Sequence, residues 1–136
     1  MTRKIIIITT LLLGLIALLA ACGGGGGDSP GTIGPAETVE RSLTAQVGRD
    51  PDTVRALLCS AAEANLERES RAFETVSDAR IEGMKCTVTH ESDDAATVSC
   101  EGRIVASYGM EETEFDLSSY RVVKEDGEWK WCGEGE

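Results

Sequence analysis

The chain has 136 residues, with 13 Lys+Arg against 24 Asp+Glu and a formal net charge of −11 at pH 7. An acidic surface with no basic patch repels nucleic acid and anionic lipid, which excludes nucleic-acid binding. The single histidine, and the lack of any close Cys-x-x-Cys pair among the five cysteines, leave no metal or cofactor site to expect.

Arg3 and Lys4 give a positive start, and Ile5 to Ala21 is apolar except for Thr9, Thr10 and Gly14. That run stands at the short limit for crossing a bilayer. It ends in Leu19-Ala20-Ala21-Cys22, just before five consecutive glycines. This ending resembles the lipobox of bacterial lipoproteins. The resemblance implies cleavage before Cys22, diacylglycerol on its thiol, and often an acyl chain on the new amino group. An uncleaved membrane anchor is the competing reading. Such an anchor has no need of Leu three positions before a Cys and small residues at two and one before.

Residues 1–21 are therefore expected to be a lipoprotein signal peptide, with Cys22 as the lipidation site. A buried CH₂ is worth about 0.8 kcal/mol, so two or three acyl chains hold a small domain firmly on a membrane. The expected location is extracytoplasmic, on the cell membrane or on an outer membrane where the organism has one. Losing Arg3 and Lys4, and no acids, moves the formal charge from −11 to −13.

Residues 22–35 read as the lipidated Cys22 and a Gly-rich tether, with Asp28, Ser29, Pro30, Gly31, Gly34 and Pro35 after the glycine run. Such a composition packs no core and is expected to be disordered. A phosphate loop is excluded, because no Gly-Lys-Ser/Thr ending follows and no strand precedes.

Residues 36–136 make one ordinary domain. Pro35 suits a first helical position, and Val39, Leu43 and Val47 form one apolar stripe that Gly48 ends. Asp50-Pro51 restarts a short helix whose buried side is Val54, Leu57 and Leu58. Ser60 with Glu63 fits a capping box for a third helix, with Leu66, Phe73 and Val76 as its stripe.

Strand patterns follow. Arg80 to His90 alternates, with Met84, Cys86 and Val88 on one face. Glu91 to Asp94 is a polar turn. Ala96 to Ser107 alternates again, with Val98, Cys100, Ile104 and Ala106 on one face. Glu112 to Glu125 reads as one long strand whose apolar phase slips by one residue near Ser118-Ser119, as a β-bulge would produce. Asp126-Gly127 is a strong hairpin signal, and Trp129 and Trp131 share a face of the last strand.

With Cys22 assigned to lipid, Cys59, Cys86, Cys100 and Cys132 form an even set in an oxidising compartment, and four cysteines allow three pairings. A symmetric turn around Asp93 sets Val88 opposite Val98 and Cys86 opposite Cys100 on the same face. Directly opposed antiparallel Cα atoms lie about 4.5–5.5 Å apart, within disulfide range. Cys86–Cys100 is the expected pair, and Cys59–Cys132 follows by elimination. Four free buried thiols are the competing reading.

Three helices followed by a four-stranded antiparallel meander give an α+β pattern. The stretch from Glu37 to Ala45 with that from Asp52 to Cys59, and the ending from Tyr120 to Cys132, resemble small lipoprotein domains of the nuclear-transport-factor-2-like, cystatin-like superfamily. The resemblance covers roughly residues 36–133. It implies N-terminal helices packed on a curved sheet, a cone with one open end. It implies no single activity, since members include isomerases, dehydratases, ligand binders and scaffolds.

Enzymes on that fold place acids, Tyr or His inside the cone. The candidates here are Asp116, Tyr108, Tyr120 and His90. None has a matched base, and no oxyanion signature accompanies them, so no catalytic residue is assigned. Two readings remain. The first is a non-catalytic interaction module for an envelope protein partner; pairing through the sheet would also allow a homodimer. The second is a carrier or sensor of a small apolar ligand in a pocket lined by Met84, Val98, Ile104, Phe115 and Tyr120. The first is preferred because no polar cluster is visible that would orient a ligand. A free cavity of about 300 Å³ or more would favour the second.

Overall fold

The computed structural model describes residues 31–135. The expected signal peptide, the expected lipidation site Cys22 and the expected tether up to residue 30 lie outside the described residues. Helix α1, Pro35–Val47, starts with proline in its first turn, where a missing N–H costs nothing. It ends at Gly48, and its stripe of Val39 and Leu43 is buried. Helix α2, Pro51–Leu57, is capped by Asp50, whose carboxylate accepts the Thr53 N–H at 3.1 Å.

After α2 the chain docks on the last strand. Leu58 forms a parallel bridge with Trp131, and the Cys59 N–H donates to the Trp131 carbonyl at 2.9 Å. A 3-10 turn, Ser60–Asn65, leads into a short helix α3, Leu66–Ser70. The expected capping box does not form here. The Ser60 N–H and hydroxyl both donate to the Glu125 carboxylate, at 3.0 and 2.8 Å, and Glu63 is not their partner. Nor does one helix run on to Val76. α3 buries no side chain, and a helix without a buried face has little to hold it together. Val76 is buried from the turn that follows.

Five strands form the antiparallel sheet: β1 Asp78–Glu91, β2 Ala95–Tyr108, β3 Glu111–Asp116, β4 Ser119–Glu125 and β5 Glu128–Glu134. The order is β1-β2-β4-β5, with β3 also paired to β2. β3 follows the C-terminal half of β2, and β4 the N-terminal half. The sequence suggested four strands with one bulged strand over Glu112–Glu125. The structure breaks that strand at Leu117-Ser118 and so has five. The break stays tied to β2, since the Leu117 N–H donates to Gly102 and the Cys100 N–H to Ser118, both at 2.9 Å. It also delivers the expected change of phase, burying Leu117 and Tyr120 alike.

Two register shifts bend β1 against β2. Glu82 faces Arg103 and Lys85 faces Glu101, so Gly83 and Met84 share one opposing residue, Gly102. This bulge turns Ile81 and Met84 toward the same core, against strict alternation. The second shift lies between Val88 and His90. Asp126 and Gly127 have φ of 50° and 81°, the positive values that a tight type I′ hairpin turn requires.

α1 packs across β1, β2, β4 and β5, and the core lies between them. Two disulfides fasten it. Cys86–Cys100 joins β1 to β2, and Cys59–Cys132 joins the helical layer to β5, with Cα separations of 4.1 and 5.3 Å. Cys86–Cys100 is the pair expected from strand register, and Cys59–Cys132 the pair expected by elimination. Among the described residues no helix is long and apolar enough to cross a membrane.

Candidate functional site

The open end of the cone holds a recess of about 520 Å³. α1 contributes Leu43 and Gln46, and the α3 segment contributes Arg68, Glu69 and Phe73. The sheet supplies Ile104, Phe115, Leu117, Tyr120 and Trp131 as the apolar wall, with Tyr108, Asp116 and Glu134 also lining it. The break after β3 helps to shape this wall, since it buries Leu117 and Tyr120 while leaving Phe115 43% exposed.

The residues expected to line a pocket divide three ways. Ile104, Phe115 and Tyr120 meet in the recess. Met84 lines a different groove, beside Glu37, Glu40 and Arg41 of α1. Val98 is wholly buried in the core. Of the four side chains weighed for catalysis, Asp116, Tyr108 and Tyr120 line the recess. His90 is exposed near the turn end of β1.

Sequence reasoning missed the polar groups of this site. Gln46 and Trp131 are 6% and 5% exposed, and both line the recess. The Gln46 amide nitrogen and the Trp131 indole nitrogen are buried without a hydrogen-bond partner. Gln46 lies three residues after Leu43 and seven after Val39, so a polar side chain stands on the buried stripe of an amphipathic helix. That was the available signal. Nothing local to Trp131 distinguished it from Trp129. The Tyr120 hydroxyl accepts the Ser118 N–H at 3.4 Å, and its ring lies 6.5 Å from that of Trp131.

Charge at the mouth is unbalanced. Arg68 is paired with Glu69 at 2.9 Å. Asp116 and Glu134 are exposed and have no ion pair among the described residues.

The groups with shifted protonation lie elsewhere. Hydrogen bonds from Arg80 and then Arg103 hold the Glu82 carboxyl below its ordinary value. Hydrogen bonds to Glu112 and then to Glu82 raise Arg80. Glu128 is lowered by Lys130, and Asp50 by its cap to Thr53. Among the described residues no group of three His, Cys, Asp or Glu is placed to hold a metal ion.

The described chain begins outside the recess. Gly31 to Ile33 lie beside Leu57, Trp129 and Lys130, near the start of α1. Gln46 is near its end, and a 13-residue helix spans about 20 Å. The entry of the chain and the mouth of the cone are at opposite ends of α1.

No family model matches the sequence, and no curated protein matches it significantly. Solved structures do match. One is a candidate dehydratase of the NTF2-like family from Streptomyces avermitilis, 14% identical, with a TM-score of 0.53 over 71% of this chain and 89% of that one. An NTF2-like protein of unknown function in nutrient uptake, from Rhodospirillum rubrum, is 15% identical, with a TM-score of 0.53 over 74% of this chain and 93% of that one. A SEC-C-motif-containing protein from Rhodopseudomonas palustris is 18% identical, with a TM-score of 0.52 over 75% of this chain and 77% of that one. At such identities the likeness speaks for architecture alone: this chain has the α+β cone of the nuclear-transport-factor-2-like (NTF2-like) fold.

Proposed function

We propose that this protein is a lipid-anchored, extracytoplasmic, non-catalytic binding module that holds a small, largely apolar molecule in the mouth of its cone. The observation that carries this reading is the recess of about 520 Å³. Small-molecule sites occupy roughly 300–1,000 Å³ and are mostly apolar with a few placed polar groups. Polar side chains, Gln46, Arg68, Glu69 and Asp116 among them, line the recess beside the apolar wall. The anchoring half of the proposal rests on Leu19-Ala20-Ala21-Cys22, and two disulfides are compatible with an oxidising compartment.

The Streptomyces neighbour prompts comparison with a dehydratase. That chemistry would need a general base seated within the recess. Here Asp116 and Glu134 are exposed and Glu69 is paired with Arg68, which favours binding over turnover.

A second reading, docking of an envelope protein, has its own support. Tyr108 is 46% exposed, Phe115 is half-exposed, and Met110 between them is fully exposed. Tyr108 and Met110 mark the turn end of the β2–β3 hairpin, and Phe115 lies toward its other end, opposite Ile104.

Mass spectrometry of the protein extracted from its own membrane tests both readings. The denaturing mass is expected to show a chain starting at Cys22, carrying diacylglycerol and lacking the four hydrogens of two disulfides. A chain starting at Met1 would overturn the anchor. A small adduct present only in the native spectrum supports the carrier. A bare chain that co-extracts with a stoichiometric partner protein supports docking instead.

A further inference from the structure

We infer, resting on the docking reading and not on the carrier one, that the outer edge of β3 takes up an extended segment of a partner protein that alternates basic and apolar side chains. The segment joins the sheet as a further strand. The Leu117 N–H donates to the Gly102 carbonyl of β2 at 2.9 Å. Successive residues of an antiparallel strand turn their backbone groups alternately toward and away from a given neighbour. Counting back from Leu117 in the observed register, Phe115 and Thr113 turn toward β2, and Asp116, Glu114 and Glu112 turn away from it. β3 pairs with β2 alone, no other backbone hydrogen bond among the described residues reaches it, and all six of its residues are exposed. The other two edges of the sheet are met in part by the protein itself. On β1 the Cys86 N–H donates to the Glu40 carboxylate of α1 at 3.3 Å, and on β5 the Trp131 carbonyl accepts the Cys59 N–H. An open row of N–H and C=O groups is a template for another strand.

The side chains of β3 select the occupant. Glu112, Glu114 and Asp116 share one face of the strand by alternation. Arg80 and Arg103 are divided among Asp78, Glu82, Glu112 and Glu114, and Asp116 has no ion pair among the described residues, so carboxylates are in excess. The opposite face presents Thr113 and Phe115, the latter 43% exposed. A strand laid on this edge sets every second side chain beside the acids and the others beside Thr113 and Phe115. Opposite charges across neighbouring strands attract and like charges repel. A second copy of β3 is therefore a poor occupant, and a segment with lysine or arginine at alternate positions is a good one. The formal charge of the chain, −11, also draws a basic segment in from solution.

Labelled seven-residue peptides test this. One alternates lysine with valine, one has glutamate in place of lysine, and one carries the same lysines and valines in two separate blocks. Two further copies of the first are N-methylated, one at the lysines and one at the valines. Each is titrated onto the full chain, extracted from its own membrane into phosphatidylcholine nanodiscs, and followed by fluorescence anisotropy with empty discs as the blank. The alternating lysine peptide is expected to bind about tenfold more tightly than the blocked one, a ratio in the range of one or two net hydrogen bonds, and the glutamate peptide not at all. Methylation in one phase removes the donors that face β3 and should abolish binding, while methylation in the other phase should leave it. Bound peptide should slow hydrogen exchange at Glu112, Glu114 and Asp116. Glu114→Pro, which removes an outward donor and no bond to β2, should weaken binding about tenfold. Equal binding of alternating and blocked peptides, or equal effects of the two methylation phases, would mean attraction by charge alone and overturn the inference. Failure of every peptide to bind protein that melts cooperatively would overturn it too. The docking reading would then stand or fall separately, on co-extraction of a partner held by another surface.

Discussion

Cys86 stands directly across from Cys100, with their Cα atoms 4.1 Å apart, because two departures from a simple hairpin cancel. At the turn end Glu91 faces Ala96, which centres the turn between Asp93 and Asp94 rather than on Asp93. The register shift between Val88 and His90 then returns Val88 to Val98 and Cys86 to Cys100. Without that shift the two thiols would be out of register and on opposite faces.

Removing the disulfides one at a time should rank them by the chain they enclose. Cys59 and Cys132 are 73 residues apart, and Cys86 and Cys100 are 14 apart. In the chain-entropy model the long link is worth about 4.4 kcal/mol and the short one about 3 kcal/mol. Equilibrium urea unfolding of the two double-alanine variants should therefore show a larger loss for Cys59→Ala/Cys132→Ala. The opposite order would mean that the hairpin link constrains more than its own loop.

Gly102 is expected to be the least replaceable glycine of the sheet. Its φ is +104°, and an added Cβ would lie 2.6 Å from the Glu82 carbonyl oxygen and 2.7 Å from the backbone of Gly83. Gly83 has φ of +64° with nothing near its missing Cβ. Gly83→Ala should cost about 1–2 kcal/mol, the ordinary penalty for left-handed backbone. Gly102→Ala should cost more, since backbone must also move. Thermal melts of the two variants give the comparison.

The carboxylate of Glu125 accepts both the N–H and the hydroxyl of Ser60, so β4 caps the 3-10 turn. Glu125→Ala should destabilise the fold by about 1 kcal/mol, as the loss of a helix cap does. Glu63→Ala, at the position the local motif suggested, should change stability little. A double-mutant cycle of Glu125→Ala with Ser60→Ala should show coupling, and additive effects would refute the contact.

Acid should weaken the fold partly through Glu82. Its carboxyl is held below the ordinary value of 4.5 by Arg80 and Arg103. A depressed folded pKa contributes stability that is complete above the unfolded value and is lost as pH falls through the lower, folded value. The loss attributable to Glu82 thus begins below about pH 4.5, and Glu82→Gln should flatten that limb of the stability curve. These side chains are exposed, so added salt should shrink the difference. Urea midpoints against pH, at low and high salt, provide the measurement.

The separation between what was legible in the sequence and what was not follows the range of the interactions. α1 and α2, the Asp50 cap and the Asp126-Gly127 turn depend on residues a few positions apart, so their physics can be read from the sequence. The cysteine pairing was legible for a related reason, since strand period and one turn carry register across a hairpin. The resemblance of the two ends supplied the cone. Tertiary structure alone decided the break at Leu117-Ser118, because β3 and β4 are each held by a different half of β2. It gave Ser60 to Glu125 in place of Glu63, and it used Gly83 and Gly102 to turn Ile81 and Met84 inward together. The site belongs to this second class. Gln46 and Trp131 come from the first helix and the last strand, and an unpartnered N–H becomes costly only once packing has removed its water.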